Sequence, residues 1–134
     1  MPLEKPLTVR LPIGHLEALE ATKSALEAEG FGILTEIDMK QVLKEKIGAD
    51  FRPYTILGAC HPSIAFSGLQ KHLELGLLLP CNVIVYEEGA TSVVAIQDPQ
   101  TMLAVAKNPD LVEVGQIART HLERVIEALQ TQAV

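Results

Sequence analysis

The stretch CNVIVYEEGATSVVAIQ, residues 81–97, holds two apolar, β-branched runs on either side of Gly89-Ala90. A two-residue connection led by glycine is the signature of a II′ hairpin, whose backbone twist matches that of the strands it joins. The two runs are therefore predicted to be antiparallel neighbours. FGILTEID (31–38) alternates, with Phe31, Ile33, Thr35 and Ile37 on one side, and predicts a strand with one wet face. A doubly wound parallel sheet would need strands buried on both faces. The hairpin and the alternation favour the other arrangement, a largely antiparallel sheet with helices on one face.

Working outward, LTVRL (7–11) is short, apolar and proline-flanked, and reads as a strand. HLEALEATKSALEAEG (15–30) reads as a helix with Leu16, Leu19 and Leu26 on one side and Gly30 at the left-handed position after its end. MKQVLKEKIG (39–48) is a short helix closed by Gly48, and YTILGAC (54–60) is the next strand. Pro62 fits the first position of a helix and His61 its N-cap, with the helix running to about Leu75 before Gly76. Asp98-Pro99 and Asn108-Pro109 are two caps followed by first-turn prolines. They open a short helix over 100–106 and a long one over 110–131. In the last helix Leu111, Val114, Ala118, Leu122, Val125 and Leu129 recur at three- and four-residue steps, widened by Ile117 and Ile126. At 1.5 Å per residue it is about 33 Å long, enough to cover a small sheet. The predicted class is α+β: strand, helix, four strands, helix, with short helical insertions. A single curved antiparallel sheet is covered by the long C-terminal helix. No linker, repeat or like-charge block divides residues 1–134, so one domain is expected.

The chain is 48% apolar and 21% charged, which predicts an ordered core. With no Trp, two Tyr and three Phe, that core rests on Leu, Ile, Val and Ala. A net charge of −6 argues against nucleic acid and against anionic membrane surfaces as partners. MPLEKPLTVRLPIG is broken by three prolines and has no signal-peptide core, and Leu77–Leu79 is far too short an apolar run to cross a bilayer. A cytoplasmic protein with two reduced thiols is the expectation.

GFGILTEIDMKQVLKEKIGADFRPYTILGACHPSIA (30–65) and ELGLLLPCNVIVYEE (74–88) together resemble the bacterial and archaeal domain-of-unknown-function 302 family. The set T-E-I-D, F-R-P-Y, L-G-A-C-x-P and L-L-P-C-N, in that order, carries the resemblance, which runs from about residue 8 to residue 130. It implies an α+β fold like that of the TATA-box-binding protein, and a homodimer. It supplies no reaction, cofactor or catalytic residue. One position departs: the family pattern commonly has Asn where this chain has His61.

Candidate chemistry gathers at Cys60, His61 and Cys81. Cys60 closes one predicted strand and Cys81 opens another, so antiparallel neighbours would bring the two positions close. Two readings stand side by side. Free cysteines in apolar company are commonly packed in the core. A thiol just before a helix N-terminus, beside an imidazole, would instead have a lowered pKa and could act as an attacking thiolate, with Cys81 resolving. Metal ligation by Cys60, His61 and Cys81, with Asp98 or water, is a further reading, although adjacent Cys and His seldom converge on one ion. Arg52 in ADFRPY is a candidate anion clamp, or else the partner of Glu36, Asp38 or Asp50. Glu36 and Asp38 share a strand face with no nucleophile beside them. His121 is expected at the edge of the last helix's apolar stripe, with His15 and His72 at exposed helix positions. The function expected from these residues is a binding module for a small ligand or metal ion near the two cysteines. The alternatives are a thiol-dependent redox or detoxification enzyme and a pure interaction domain.

Overall fold

The structure is a computed structural model and describes residues 7–132. Five strands and five α-helices follow in the order β1 (Leu7–Leu11), α1 (His15–Ala28), β2 (Gly32–Asp38), α2 (Met39–Ile47), β3 (Tyr54–Cys60), α3 (Pro62–Lys71), β4 (Cys81–Glu88), β5 (Thr91–Ile96), α4 (Pro99–Ala104) and α5 (Val112–Gln132). Two 3₁₀ segments, Leu73–Leu78 and Pro109–Leu111, precede β4 and α5. The sheet order is β1-β5-β4-β3-β2 and every pairing is antiparallel, as the hairpin predicted. At the hairpin turn Gly89 has φ 61° and Ala90 does not take positive φ, the II′ pattern.

Because β1 pairs with β5 at one edge while β2 forms the other, α1 must carry the chain across the sheet. It lies over β2, β3, β4 and β5, and α5 packs beside it on β1. The register sets Leu57 opposite Val83, Val83 opposite Ile96 and Val85 opposite Val94, so these residues share one face. All five are buried under the two helices, together with Leu26 of α1 and Leu122, Val125 and Leu129 of α5. The caps read from Asp98 and Asn108 are present: each side chain accepts from a backbone N–H two residues on, at 2.9 Å.

Several expectations change. The alternation of 31–38 does not give one apolar face. Ile33 pairs with Ala59 and Thr35 with Gly58, which leaves Leu34 as an unpaired bulge residue, 63% exposed. One extra residue reverses the side-chain alternation beyond it. Ile33 therefore faces the helices, Thr35 and Ile37 face away, and Glu36 and Asp38 take the helix-side positions.

The helix begun at Pro62 ends at Lys71, not at about Leu75. In a continuous helix Leu75 would lie two turns, about 10 Å, from Gly68. Instead the chain folds back, and a Cβ on Gly68 would sit 2.5 Å from Leu75 Cδ2. Burial of Leu75 decides the local structure there. Helix α4 ends at Ala104, short of the predicted 106, and α5 starts at Val112 after a 3₁₀ turn. Leu16 and Ile117 are exposed, not part of their helices' apolar stripes. Leu16 lies about half a helical wheel from the buried Ala25, at about 100° per residue.

A second, smaller apolar cluster of Leu75, Leu111 and Val114 forms where α3, the 3₁₀ segments and α5 meet, with Ile64, Leu79 and Leu103 packed against it. Among the described residues, no helix is long and apolar enough to cross a membrane.

Candidate functional site

Between the two clusters lies a cavity of about 70 Å³. The main core contributes Phe31, Ala59 and Leu122 to its wall, and the smaller cluster contributes Leu75, Leu103 and Val114. It sits at the end of the sheet where β3 stops, β4 starts and β5 runs into α4. Antiparallel pairing brings those three chain positions together, although they are distant in sequence. Among the described residues, the wall contains no Lys, Arg, Asp or Glu; its polar members are Cys60, His61, Cys81 and Gln97.

Both cysteines are free thiols and both belong to this wall. They are not register partners in the strand pair and no disulfide joins them. Ala59, not Cys60, stands opposite Cys81, and Cys60 is the last residue of β3. The Cys81 Sγ–H donates weakly to the carbonyl oxygen of Gln97 at 3.7 Å. Burial, with the nearby Asp98 carboxylate, pushes the Cys81 thiol up to about 12. Cys60 is also raised, by burial, which runs against the alternative reading of a thiol activated at the start of α3. Both thiols are held in the protonated, weakly nucleophilic form. Alkylation of Cys81 by iodoacetamide at pH 7.5 is accordingly expected to be about 100-fold slower in the native than in the denatured protein. Labelling at the denatured rate, read by peptide mass spectrometry, would contradict this.

His61 occupies the N-cap position of α3, but its side chain does not cap the helix. It packs against Gly30, where a Cβ would lie 2.7 Å from His61 Nε2 and where φ is +90°. Gly30 is thus required twice, for its conformation and for the room it leaves. The imidazole meets the Phe31 ring edge-on at 5.3 Å and the His121 ring at 5.0 Å. His61 Nδ1 is buried and has no hydrogen-bond partner. His121 is more than the packed edge residue expected: its Nδ1 lies 2.9 Å from Glu29 Oε1, and Arg124 stands 3.6 Å from the same oxygen. The hydrogen bond to His121 holds the Glu29 carboxyl below its ordinary range, aided by the Arg124 charge.

The remaining wall is fixed by Asp98. Its Oδ1 caps α4 through Gln100 N–H, and its Oδ2 pairs with Arg119 of α5. This clasp holds α4 against α5, so that Pro99, Met102 and Leu103 close one side of the cavity.

Arg52 is not part of this site. It lies beyond the opposite end of β3, whose seven residues span about 20 Å. Its guanidinium reaches Glu88 at 3.8 Å and the Glu87 carbonyl at 3.5 Å, and lies 5.8 Å from the Phe51 ring centre. The three carboxylates expected as its partners have other roles. Glu36 pairs with Lys23, Asp38 caps α2 through Gln41 N–H, and Asp50 pairs with Lys44. His15 is not an exposed helix residue. Its Nε2 lies 2.9 Å from Thr55 Oγ1, and its backbone N–H donates to Glu87 Oε2.

Among the described residues, no group of three or more His, Cys, Asp or Glu side chains is arranged to hold a metal ion. Cys60, His61 and Cys81 share the cavity wall without forming such a group. Sequence reading missed Gln97, Glu29 and Arg119. Glu29 and His121 are 92 residues apart, and no local spacing announces their contact.

Comparison with known proteins adds a family and a fold. The family model described as "Domain of unknown function DUF302" matches residues 7–129. A crystal structure of an uncharacterized conserved DUF302 protein from Bacillus stearothermophilus superposes with a TM-score of 0.87 at 30% sequence identity. The match covers 95% of this chain and 99% of that one. Among curated proteins, none matches.

Proposed function

The chain belongs to the DUF302 family, and from that premise we propose that it is a single-domain, non-catalytic binding module that takes a small, mostly apolar ligand beside Cys60, His61 and Cys81. The observation that carries this reading is the cavity at the seam of two packed clusters, walled by aliphatic side chains and lacking charged ones. Interiors pack to crystal density, so a void of this size marks space that the fold's own side chains leave unfilled. A cavity of about 150 Å³ accepts benzene, and 70 Å³ sets the scale for a smaller guest or for one that projects partly outside. The protonated thiols favour binding over attack, and a reducing cytoplasm suits them.

Titration with 1-butanol, followed by ¹H–¹⁵N spectra, tests this reading. Millimolar butanol is expected to shift the amides of Ala59, Leu75, Val114 and Leu122 as a group. Filling the space with Ala118→Leu is expected to weaken that response at least about fivefold, in keeping with the loss of burial for a small apolar guest. Shifts scattered over the surface and unchanged by the filling substitution would overturn it.

The module is further proposed to act as a homodimer, as family resemblance implies. Leu73 and Leu77, 86% and 83% exposed on the 3₁₀ segment, are the apolar residues offered for that contact. Leu77→Glu is expected to convert the dimer to monomer in light scattering while leaving the circular dichroism spectrum unchanged. A wild-type protein that is already monomeric at 100 µM, or a variant that stays dimeric, would remove this part of the reading.

A further inference from the structure

Leu57, Val83, Val85 and Val94 face the helices, so strand alternation turns their neighbours Ile56, Ile84, Tyr86 and Ala95 to the other side of the sheet. An antiparallel sheet with one packed face ordinarily presents polar side chains on the other. Here the outer face is apolar as well. Ile37, Ile56, Ile84 and Ala95 stand in one register row across four strands. Tyr54, Tyr86 and Val93 form the next row, with the two tyrosine rings stacked at 5.4 Å. Phe51 extends it, its ring 5.9 Å from that of Tyr54. Val93 is buried, but Ile37 and Phe51 are 41% and 42% exposed and the remaining residues are half-buried. Resting on the homodimer reading above, we propose that this outer sheet face packs against the same face of a second copy.

The chemistry of the face selects that partner. Arg10 and Arg52, at its margin, are both engaged by Glu88, at 2.7 Å and 3.8 Å. A charged partner would meet no free counter-charge in either row, whereas a second apolar sheet matches both. Under a twofold axis one such patch is complementary to itself. Two stacked sheets lie about 10 Å apart with their side chains interdigitating.

The size is sufficient. Five strands about 4.8 Å apart, paired over about 20 Å, give a face of about 500 Å² in plan. Two copies then cover about 1,000 Å², the extent a specific interface must reach, before side-chain relief is counted. The face is also continuous with the 3₁₀ segment that carries Leu77. That segment enters β4 through Pro80, which lies over Gly58 on the outer side: a Cβ on Gly58 would sit 2.8 Å from Pro80 Cγ.

The chain has two tyrosines and no tryptophan, so its intrinsic emission comes from Tyr54 and Tyr86 and reports on this face. The full-length wild type is diluted from about 100 µM to about 0.1 µM, a range that spans micromolar association, while mass and acrylamide quenching are followed. Quenching is expected to rise at least about twofold as the dimer separates, because interface cores pack like protein interiors. Ile84→Lys is expected to weaken the dimer at least about 30-fold, since its charge would be buried without a partner. Should that variant fail to fold, Ile37→Lys on the edge strand takes its place, and wild-type quenching is read in either case. A dimer that survives these lysines but is lost in Leu77→Glu would overturn the sheet face and leave the dimer reading standing. Quenching that stays constant while the mass halves would do the same. A wild type already monomeric at about 100 µM removes both.

Discussion

Leu122→Ala is expected to lower the free energy of unfolding by about 3–5 kcal/mol, towards the upper end for loss of a buried leucine. Leu122 is fully buried, and it belongs both to the main core and to the cavity wall. Truncation there removes apolar contact and also adds its volume to a void that already exists. The cost of such a void grows by about 24 cal/mol for each Å³ that the surroundings cannot reclaim. Reclaiming it is difficult here, because Ala59 of the same wall is held in β3 between two paired strands. Urea titration should show the midpoint falling with little change in slope. The enlarged space should also admit benzene, which the native volume does not accommodate whole. A loss below about 1 kcal/mol would mean that the two clusters close over the gap, contrary to the packing described.

Arg119→Met is the second large effect, expected at about 2–4 kcal/mol. The Asp98 side chain is only 9% exposed, and Arg119, at 23%, is the cation paired with it. Removing one partner of a largely buried pair leaves the other charge without compensation, which costs more than the pair contributes when intact. The partial exposure of Arg119 keeps the figure below that of a fully dry pair. Asp98 also caps α4, so Asp98→Ala adds loss of the cap, about 1 kcal/mol. A double-mutant cycle separates these effects: Asp98→Asn with Arg119→Met should recover much of the single-mutant loss, since no unpaired charge remains. Additive losses would place the cost elsewhere than in the pair. Because the clasp closes one wall of the cavity, Arg119→Met should also weaken butanol binding.

The parts of the fold legible in the sequence are those set by local chemistry. The hairpin follows from Gly89, the α4 and 3₁₀ starts from Asp98-Pro99 and Asn108-Pro109, and the β3–α3 junction from Pro62. The parts that escaped depend on contacts distant along the chain. Leu75 returns to Gly68, and the Leu34 bulge exists because β2 must meet β3 in a register that its own alternation does not reveal. The site divides in the same way. Cys60, His61 and Cys81 could be placed near one another once β3 and β4 were read as neighbours. That both thiols are raised could not be read, because it depends on their burial in the folded chain. Nor could the Glu29–His121 contact, which joins the end of α1 to the middle of α5. Arg52 forms an ion pair, as one of its two sequence readings had it, but with Glu88, which the pairing of β3 with β4 brings beside it and which no local motif names.

The Leu34 bulge bears on how molecules of this chain meet one another at high concentration. A flat edge strand with its backbone groups free is a template on which a neighbouring molecule can add a strand, and repeated addition leads to aggregates. β2 is such an edge, and its sequence carries three large aliphatic residues. One unpaired residue in its middle breaks the regular spacing of the free hydrogen-bonding groups, and Glu36 and Asp38 place charge along the remainder. The same irregularity that splits the apolar face of β2 therefore guards the open side of the sheet against strand addition.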